Sequence, residues 1–503
     1  MGSKNSSIRV RYAPSPTGYL HVGGVRTLLF NWLFARRHGG TLIIRVEDTD
    51  QARSTLESEE QVLATIQRLK LDYDEGPTIG GPHPPYRQSE RLALYGMYAK
   101  QLLNEGKAYY CFCPEELIGQ KREAALKMGK PPHYDGTCAR IPKDQAAKRV
   151  AGGEKAGLRF RTPNRSFNLK DHVRGDIEFK EGTVGDFFIT RSIGAGEKEI
   201  AAGIGFPVYN FCCVIDDHLM EMSHVIRGED HLSNTARQLM IYDAFGWKTP
   251  EFAHTAMVLG ADKTKLSKRN GDVSAYDYLE KGFLGEALLN FLVLLGWWPP
   301  KDFKPKSGHP EILSRDELIA TFDLEGLQKA PGVFDTQKLR WMNSFYIQHM
   351  TLSELASIAA PFFEAVQIDF KRHSSEWFEK VLETVRGEVH ILSELPAAAA
   401  LFFEKTPALE EAAKVALADP IAKKVVESLL SSLQAAPENL TASDVDVIQK
   451  SVASQTGAKG KGLFMPIRSA ITGRTHGPEL KLILPLLGKA TAVDRVKDIL
   501  TRI

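Results

Sequence analysis

Residues 8–24 constrain this chain more than any other stretch, because a strand candidate runs through a Pro/Gly turn straight into a helix. Ile8 to Ala13 alternates as strands do and stops at Pro14-Ser15-Pro16-Thr17-Gly18, a cluster that breaks both strand and helix. His21-Val22-Gly23-Gly24 then opens a run with Leu28, Leu29, Trp32 and Leu33 at helical spacing. Gly39-Gly40 supplies the C-cap residues. Leu42, Ile43, Ile44 and Val46 read as a buried strand, and Val62, Leu63, Ile66 and Leu69 as the apolar face of the next helix. Strands that alternate with helices predict a parallel sheet whose ligands sit at the strand carboxyl ends. Two glycines after a histidine let backbone approach a nucleotide, and the helix N-terminus favours phosphate oxygens. His21 is placed to donate a hydrogen bond to such a phosphate.

With 503 residues the chain is too long for one ordinary domain, and its texture changes along its length. Near residue 106 a Cys-Phe-Cys-Pro turn, Pro131-Pro132 and Gly152-Gly153 interrupt the alternating pattern, as an insertion would. The pattern returns near Phe206-Pro207-Val208-Tyr209. Beyond about residue 346, Ala, Leu, Glu and Lys dominate and strand-like runs become few. A formal charge of +2 announces no nucleic-acid partner by itself, so any such partner must meet local basic patches. No apolar run reaches membrane-spanning length. Five cysteines, an odd and sparse set, fit a reducing compartment, and a cytoplasmic protein is expected.

A second motif, Lys265-Leu266-Ser267-Lys268-Arg269, follows Thr255-Ala256-Met257-Val258-Leu259. Lysines flanking a serine in a polar loop suit a cation clamp on polyphosphate, though alone they read as a solvated loop. Paired with the His21 motif, they match the two signatures of class I aminoacyl-tRNA synthetases. Arg11-Tyr12-Ala13-Pro14-Ser15-Pro16-Thr17-Gly18, Arg45-Val46-Glu47-Asp48-Thr49-Asp50, Asp216-Asp217-His218-Leu219-Met220 and Val225-Ile226-Arg227-Gly228-Glu229-Asp230-His231 narrow the match. These segments resemble glutamyl-tRNA synthetases of the bacterial type. The resemblance runs nearly end to end, through Trp341-Met342-Asn343 and Lys461-Gly462-Leu463-Phe464-Met465-Pro466-Ile467-Arg468. The glutamine-specific relatives typically carry glutamate where Ser15 stands and Asp-Asp-Thr-Asn in place of Glu47-Asp48-Thr49-Asp50.

That resemblance implies a Rossmann-like α/β catalytic core with an inserted α+β domain, followed by an all-α anticodon-binding region. The implied divisions are a catalytic domain in two parts (1–105 and 206–260), an acceptor-end insertion (106–205), a loop and stem-contact region (261–345) and a helical anticodon-binding region (346–503). It implies ATP with Mg2+, L-glutamate and glutamate tRNA as ligands, acting in a monomer; whether glutamine tRNA is also charged with glutamate stays open. Glutamate would be held by Arg11, Ala13, Ser15, Glu47, Tyr209 and Arg227. The chemistry agrees, since planar guanidinium forks suit carboxylates and a carboxylate suits the ammonium group. ATP would lie against Pro14, Ser15, Thr17, Gly18, His21, Gly23, Gly24 and Lys268, with His21, Lys265, Ser267 and Lys268 as the catalytic set. Cys213, near this pocket by the same resemblance, is given no catalytic role.

Cys111-x-Cys113 followed by Tyr134-x-x-x-Cys138 forms a third constellation. Thiolates suit tetrahedral zinc, but three cysteines leave a fourth ligand to find. Relatives that hold metal here end the site with Cys-x-His or with Tyr-x-x-x-Cys. Arg140 stands where the first version needs histidine, while Tyr134 keeps the spacing of the second, and His133 is a further candidate. Zinc and free thiols both remain open. Lys459, Lys461, Arg468 and Arg474, near glycines in the helical half, suit phosphate and anticodon contacts.

Overall fold

A computed structural model describes residues 8–50, 53–192, 200, 204–266 and 274–503. In chain order the strands that build the first half are β1 (Arg9–Tyr12), β2 (Thr41–Ile44), β3 (Ala108–Cys111), β4 (Gly157–Phe160), β5 (Phe167–Asp171), β6 (Gly175–Phe179), β7 (Phe187–Phe188), β8 (His224–Gly228) and β9 (Glu251–Thr255). Contacts divide the chain into two compact units, the first covering Met1–Tyr278 with Leu288–Asp335 and the second Leu279–Ala287 with Thr336–Ile503.

In the first unit β1 and β2 pair in parallel across the helix Val22–His38. That helix buries Val22, Val25, Leu28, Leu29, Trp32 and Leu33, and it ends on Gly39 at φ 60. Only a residue without Cβ adopts this left-handed cap without strain. β8 and β9 also pair in parallel, and β8 lies beside β1, where the Ser223 amide donates to the Arg9 carbonyl at 2.9 Å. The loop Pro14 to Gly18 is anchored from two sides: the Glu47 amide donates to the Pro14 carbonyl (2.9 Å) and the Thr55 amide to that of Pro16 (3.2 Å).

The stretch expected as an insertion contributes to two sheets. β3, β4 and β7 form a sheet of their own. The hairpin β5–β6 instead joins the parallel layer, in the order β6-β5-β9-β8, through the register pair Asp171↔Phe252.

The second unit is helical, with Leu352–Ala365, Ser375–Val385, Ala422–Ala435, Ala442–Thr456, Lys461–Thr472 and Lys489–Leu500 among its helices. Phe363, Leu382, Val426, Leu429, Ile467, Ile483 and Val496 lie in one buried core, which also takes in Leu284 and Ala287. Among the described residues no helix is long and apolar enough to cross a membrane.

A cleft at the strand carboxyl ends

One cleft of about 730 Å³ collects most of the residues singled out by sequence. Its walls are built at the carboxyl ends of three strands: Arg11 to Ser15 at the end of β1 and beyond it, Ile226 to Gly228 of β8, and Ala256 to Val258 just past β9. This is where parallel α/β sheets bind ligands, because the strand ends diverge there and helix N-termini point inward. Ala13, Pro14, Ser15, Thr17, His21, Gly23, Gly24, Glu47, Tyr209, Arg227 and Lys265 all line it. Gly18 is not among the lining residues. A Cβ there would meet only open space, so its φ of 145 is the reason the position suits glycine. Ser267 and Lys268 lie outside the described residues.

The floor is a buried ion-pair network. Arg11 donates through Nε to Asp217 Oδ1 at 3.1 Å, and Arg45 donates through Nη1 to the same oxygen at 2.6 Å. Arg45 also donates through Nη2 to Glu47 Oε1 at 2.9 Å. Burial pushes the Asp217 carboxyl up, but Arg11 and Arg45 outweigh it and hold the group at about 2. Burial dominates at Glu47 and raises its carboxyl despite both arginines. Cys213 touches Arg11, Arg45 and Asp217 through its sulfur, and burial pushes its thiol up to about 12, so it stays protonated and unreactive. Arg45 and Asp217 are the residues sequence reasoning left without a role. For Asp217 a faint signal existed, the paired charge of Asp216-Asp217 on a helix that is otherwise apolar in its middle; for Arg45 there was none.

At the end of β8, Arg227 is only 5% exposed. Its Nη2 donates to Thr235 Oγ1 and Gln238 Oε1, both at 2.7 Å, and its Nε to His254 Nε2 at 3.2 Å. Its Nη1 is buried and has no partner among the described residues. Tyr209 shares a hydrogen bond of 3.0 Å with His231 Nδ1. Burial first and Arg227 second lower the His231 imidazole to about 4, which keeps it neutral.

His21 is the N-cap of the first long helix, and its Nδ1 accepts the Gly23 amide proton at 3.0 Å. That bond fixes the tautomer with the proton on Nε2. Burial lowers its pKa, Lys265 adds to this, and a hydrogen bond to the Leu266 backbone opposes both. Lys265 pairs with Asp230 Oδ2 at 3.2 Å. Gly24 has a packing reason as well, since a Cβ there would stand 2.8 Å from the Tyr12 hydroxyl.

Away from the cleft, the sulfurs of Cys111, Cys113 and Cys138 lie within 4.8 Å of one another, all buried. Tyr134 Oη is 3.2 Å from Cys113 Sγ and 3.6 Å from Cys111 Sγ, and it accepts the Cys138 amide at 2.9 Å. Cys113 and Cys138 sulfurs are 3.7 Å apart. Tetrahedral zinc with bonds of about 2.3 Å needs ligand spacings of roughly 3.8 Å, which the thiol donors suit in kind and the Cys113–Cys138 pair matches in distance. His133 is engaged elsewhere, its Nε2 lying 3.2 Å from the Thr183 carbonyl.

Comparison with known proteins gives a consistent result. A family model described as tRNA synthetases class I (E and Q), catalytic domain, matches residues 7–341, and one described as an anticodon binding domain matches 350–500. The glutamate–tRNA ligase of Carboxydothermus hydrogenoformans is 43% identical over 496 residues, 98% of this chain and 99% of that one. That of Desulforamulus reducens is 43% identical over 499 residues, again 98% of this chain and 99% of the relative. Among solved structures, a glutamate tRNA ligase from Elizabethkingia meningosepticum in complex with its amino acid superposes with a TM-score of 0.87 at 30% identity, covering 99% of both chains.

Proposed function

From the premise that this chain belongs to the class I tRNA synthetases, and within them to the glutamate–tRNA ligases, we propose that the cleft holds glutamate and ATP side by side. The activity is aminoacylation: glutamate is activated with ATP and passed to the terminal adenosine of glutamate tRNA. One observation carries the assignment of the cleft. Of the three buried guanidiniums that line it among the described residues, Arg26 donates to the carbonyls of Ala256 and Leu295, while Arg11 and Arg227 face it with donors to spare beside the buried carboxylate of Glu47. A ligand with two carboxylates and one ammonium group is the charge complement of that set.

In this reading Arg11 and Arg227 bind the carboxylates, Glu47 takes the ammonium group, and Ser15, Tyr209 and the Ala13 backbone fix orientation. ATP lies over Pro14, Thr17, Gly18, Gly23 and Gly24. The glutamate carboxylate attacks the α-phosphate in line and pyrophosphate leaves. His21, through its Nε2 proton, then meets charge developing on the phosphates, with Lys265, Ser267 and Lys268 completing the set. Most of the acceleration comes from positioning and electrostatics. Mg2+ belongs to the nucleotide and would neutralise its phosphates.

The divisions assigned from sequence carry the rest: 1–105 with 206–260 as catalytic core, 106–205 against the acceptor end, 261–345 as loop and stem contact, and 346–503 on the anticodon. A cytoplasmic monomer is the proposed working form. Pyrophosphate exchange tests the reading: exchange with glutamate is expected, dependent on tRNA, and not with glutamine. Exchange driven by glutamine instead would remove Arg11, Glu47 and Arg227 from amino-acid recognition.

Zinc is proposed at Cys111, Cys113, Tyr134 and Cys138, because three buried sulfurs within 4.8 Å of one another gather around the Tyr134 hydroxyl. Metal analysis of tag-free protein purified without chelators should find about one zinc per chain. None would return the three cysteines to free thiols arranged around the Tyr134 hydroxyl.

A further inference from the structure

Arg227 is steadied by a chain of hydrogen bonds that begins outside the cleft, on the hairpin β5–β6. Asp171, the last residue of β5, has its Oδ2 at 2.6 Å from His254 Nδ1. Its Oδ1 accepts the amides of Val173 (2.9 Å), Arg174 (2.8 Å) and His254 (3.2 Å). His254 Nε2 in turn lies 2.9 Å from Thr235 Oγ1 and receives Arg227 Nε at 3.2 Å. Asp171 is 3% exposed, and His254 and Thr235 are fully buried.

The imidazole proton in this chain has one consistent placement. A carboxylate only accepts, so the imidazole proton sits on Nδ1 and Nε2 presents a lone pair. Thr235 accepts from Arg227 Nη2, and its own proton has two acceptors in reach, His254 Nε2 at 2.9 Å and the His231 carbonyl at 3.4 Å. The guanidinium is therefore held by Nε and Nη2, and the edge left over is Nη1, buried beside the cleft and unpartnered among the described residues. A protonated imidazole would offer a second N–H to Arg227 in place of a lone pair. Burial above all, with Arg227 helping, lowers the His254 pKa, although Asp171 pulls it the other way.

We infer that Asp171 and His254 are positioning residues for amino-acid selection, fixing the tautomer that orients Arg227 and leaves its Nη1 edge free for a ligand carboxylate. The inference rests on the reading that Arg227 binds glutamate. It also gives the segment 106–205 a part in the amino-acid pocket, because Asp171 reaches the sheet on a hairpin from within that segment.

The test is a mutant cycle on the full chain, read as the glutamate KM in aminoacylation at saturating ATP and tRNA. KM does not depend on how much of a sample is folded. His254→Asn keeps a donor to Asp171 but has no atom at the Nε2 position, while His254→Gln restores an acceptor there. His254→Asn should raise the glutamate KM about tenfold or more, the scale of one hydrogen bond to a charged group, and leave the ATP KM unchanged. His254→Gln should recover much of that loss. In an Arg227→Ala background His254→Asn should add nothing further, since the contact it removes is already gone. An unchanged glutamate KM in His254→Asn, a parallel rise in both KM values, or full additivity with Arg227→Ala would each overturn the inference. Arg227→Ala alone separates the two levels: a normal glutamate KM in that variant would sink the reading of the pocket, whereas a raised one beside a silent His254→Asn would sink only the positioning role.

Discussion

Replacing Asp217 with Ala should cost about 3–5 kcal/mol of stability, the scale seen when one partner is removed from a buried ion pair. Arg11 and Arg45 both donate to its Oδ1 and are 4% and 0% exposed. The variant takes from Arg11 its carboxylate partner and leaves Arg45 to Glu47 and the more distant Asp216, with both guanidiniums almost fully buried. Urea unfolding followed in the first half of the chain should show a large drop in midpoint, and Asp217→Asn, which keeps shape and an acceptor, a smaller one. An acid arm checks the same network. The Asp217 carboxyl lies at about 2 when folded, below its ordinary value of 3.8. Its contribution, about 2 kcal/mol from that difference, is fully present above pH 4 and is lost as pH falls toward 2. In Asp217→Ala this arm of the stability–pH curve should flatten. An unchanged urea midpoint would mean the pair sets geometry only.

That network also marks how far the sequence could be read. The strand, turn and helix of residues 8–38 were legible because each signal is local: alternation, a Pro/Gly break, helical spacing and a Gly39 cap. The helical second half was legible for the same reason, and so was convergence of Cys111, Cys113, Tyr134 and Cys138, which short spacing nearly enforces. Arg45 and Asp217 were not. Charged residues are almost always solvated, and nothing local says that two of them, far apart in sequence, meet in the core. The hairpin β5–β6 was hidden too, because a single register pair with β9 leaves no pattern in either strand. His254 and Asp171 act through other side chains and so carry no motif of their own. The assignment of Leu279–Ala287 to the second unit was equally out of reach, resting as it does on tertiary contacts such as the Leu284 amide donating to Asn343 Oδ1 at 2.8 Å.

The second large effect is expected at Arg495, a residue of the helical unit that no sequence signal set apart. It is 1% exposed, and its partners are all backbone carbonyls. Nε donates to Lys405 (3.3 Å), Nη1 to Ile471 (2.8 Å), and Nη2 to Leu401 and Glu404, both at 2.6 Å. Ile471 stands in the last turn of the helix Lys461–Thr472, and Leu401 lies in the turn 400–402, so the cation meets carbonyls that helical bonding leaves unsatisfied. With no carboxylate bonded to it among the described residues, burial lowers the guanidinium to about 10, and Glu404 opposes this only in part. Arg495→Met fills much of the space but satisfies none of the four carbonyls. At about 1–3 kcal/mol for each buried group left unmade, partly offset by the charge no longer buried, a loss of about 3–5 kcal/mol is expected. Arg495→Lys offers three donors from one point and should recover only a fraction. Because the family model over residues 350–500 is an anticodon binding domain, the functional consequence should be selective. Near the melting point of the variant, the tRNA KM should rise steeply, while kcat at saturating tRNA stays close to that of the parent. A matching fall in kcat at all tRNA concentrations would show that the helical unit supports the chemistry itself as well as the hold on tRNA.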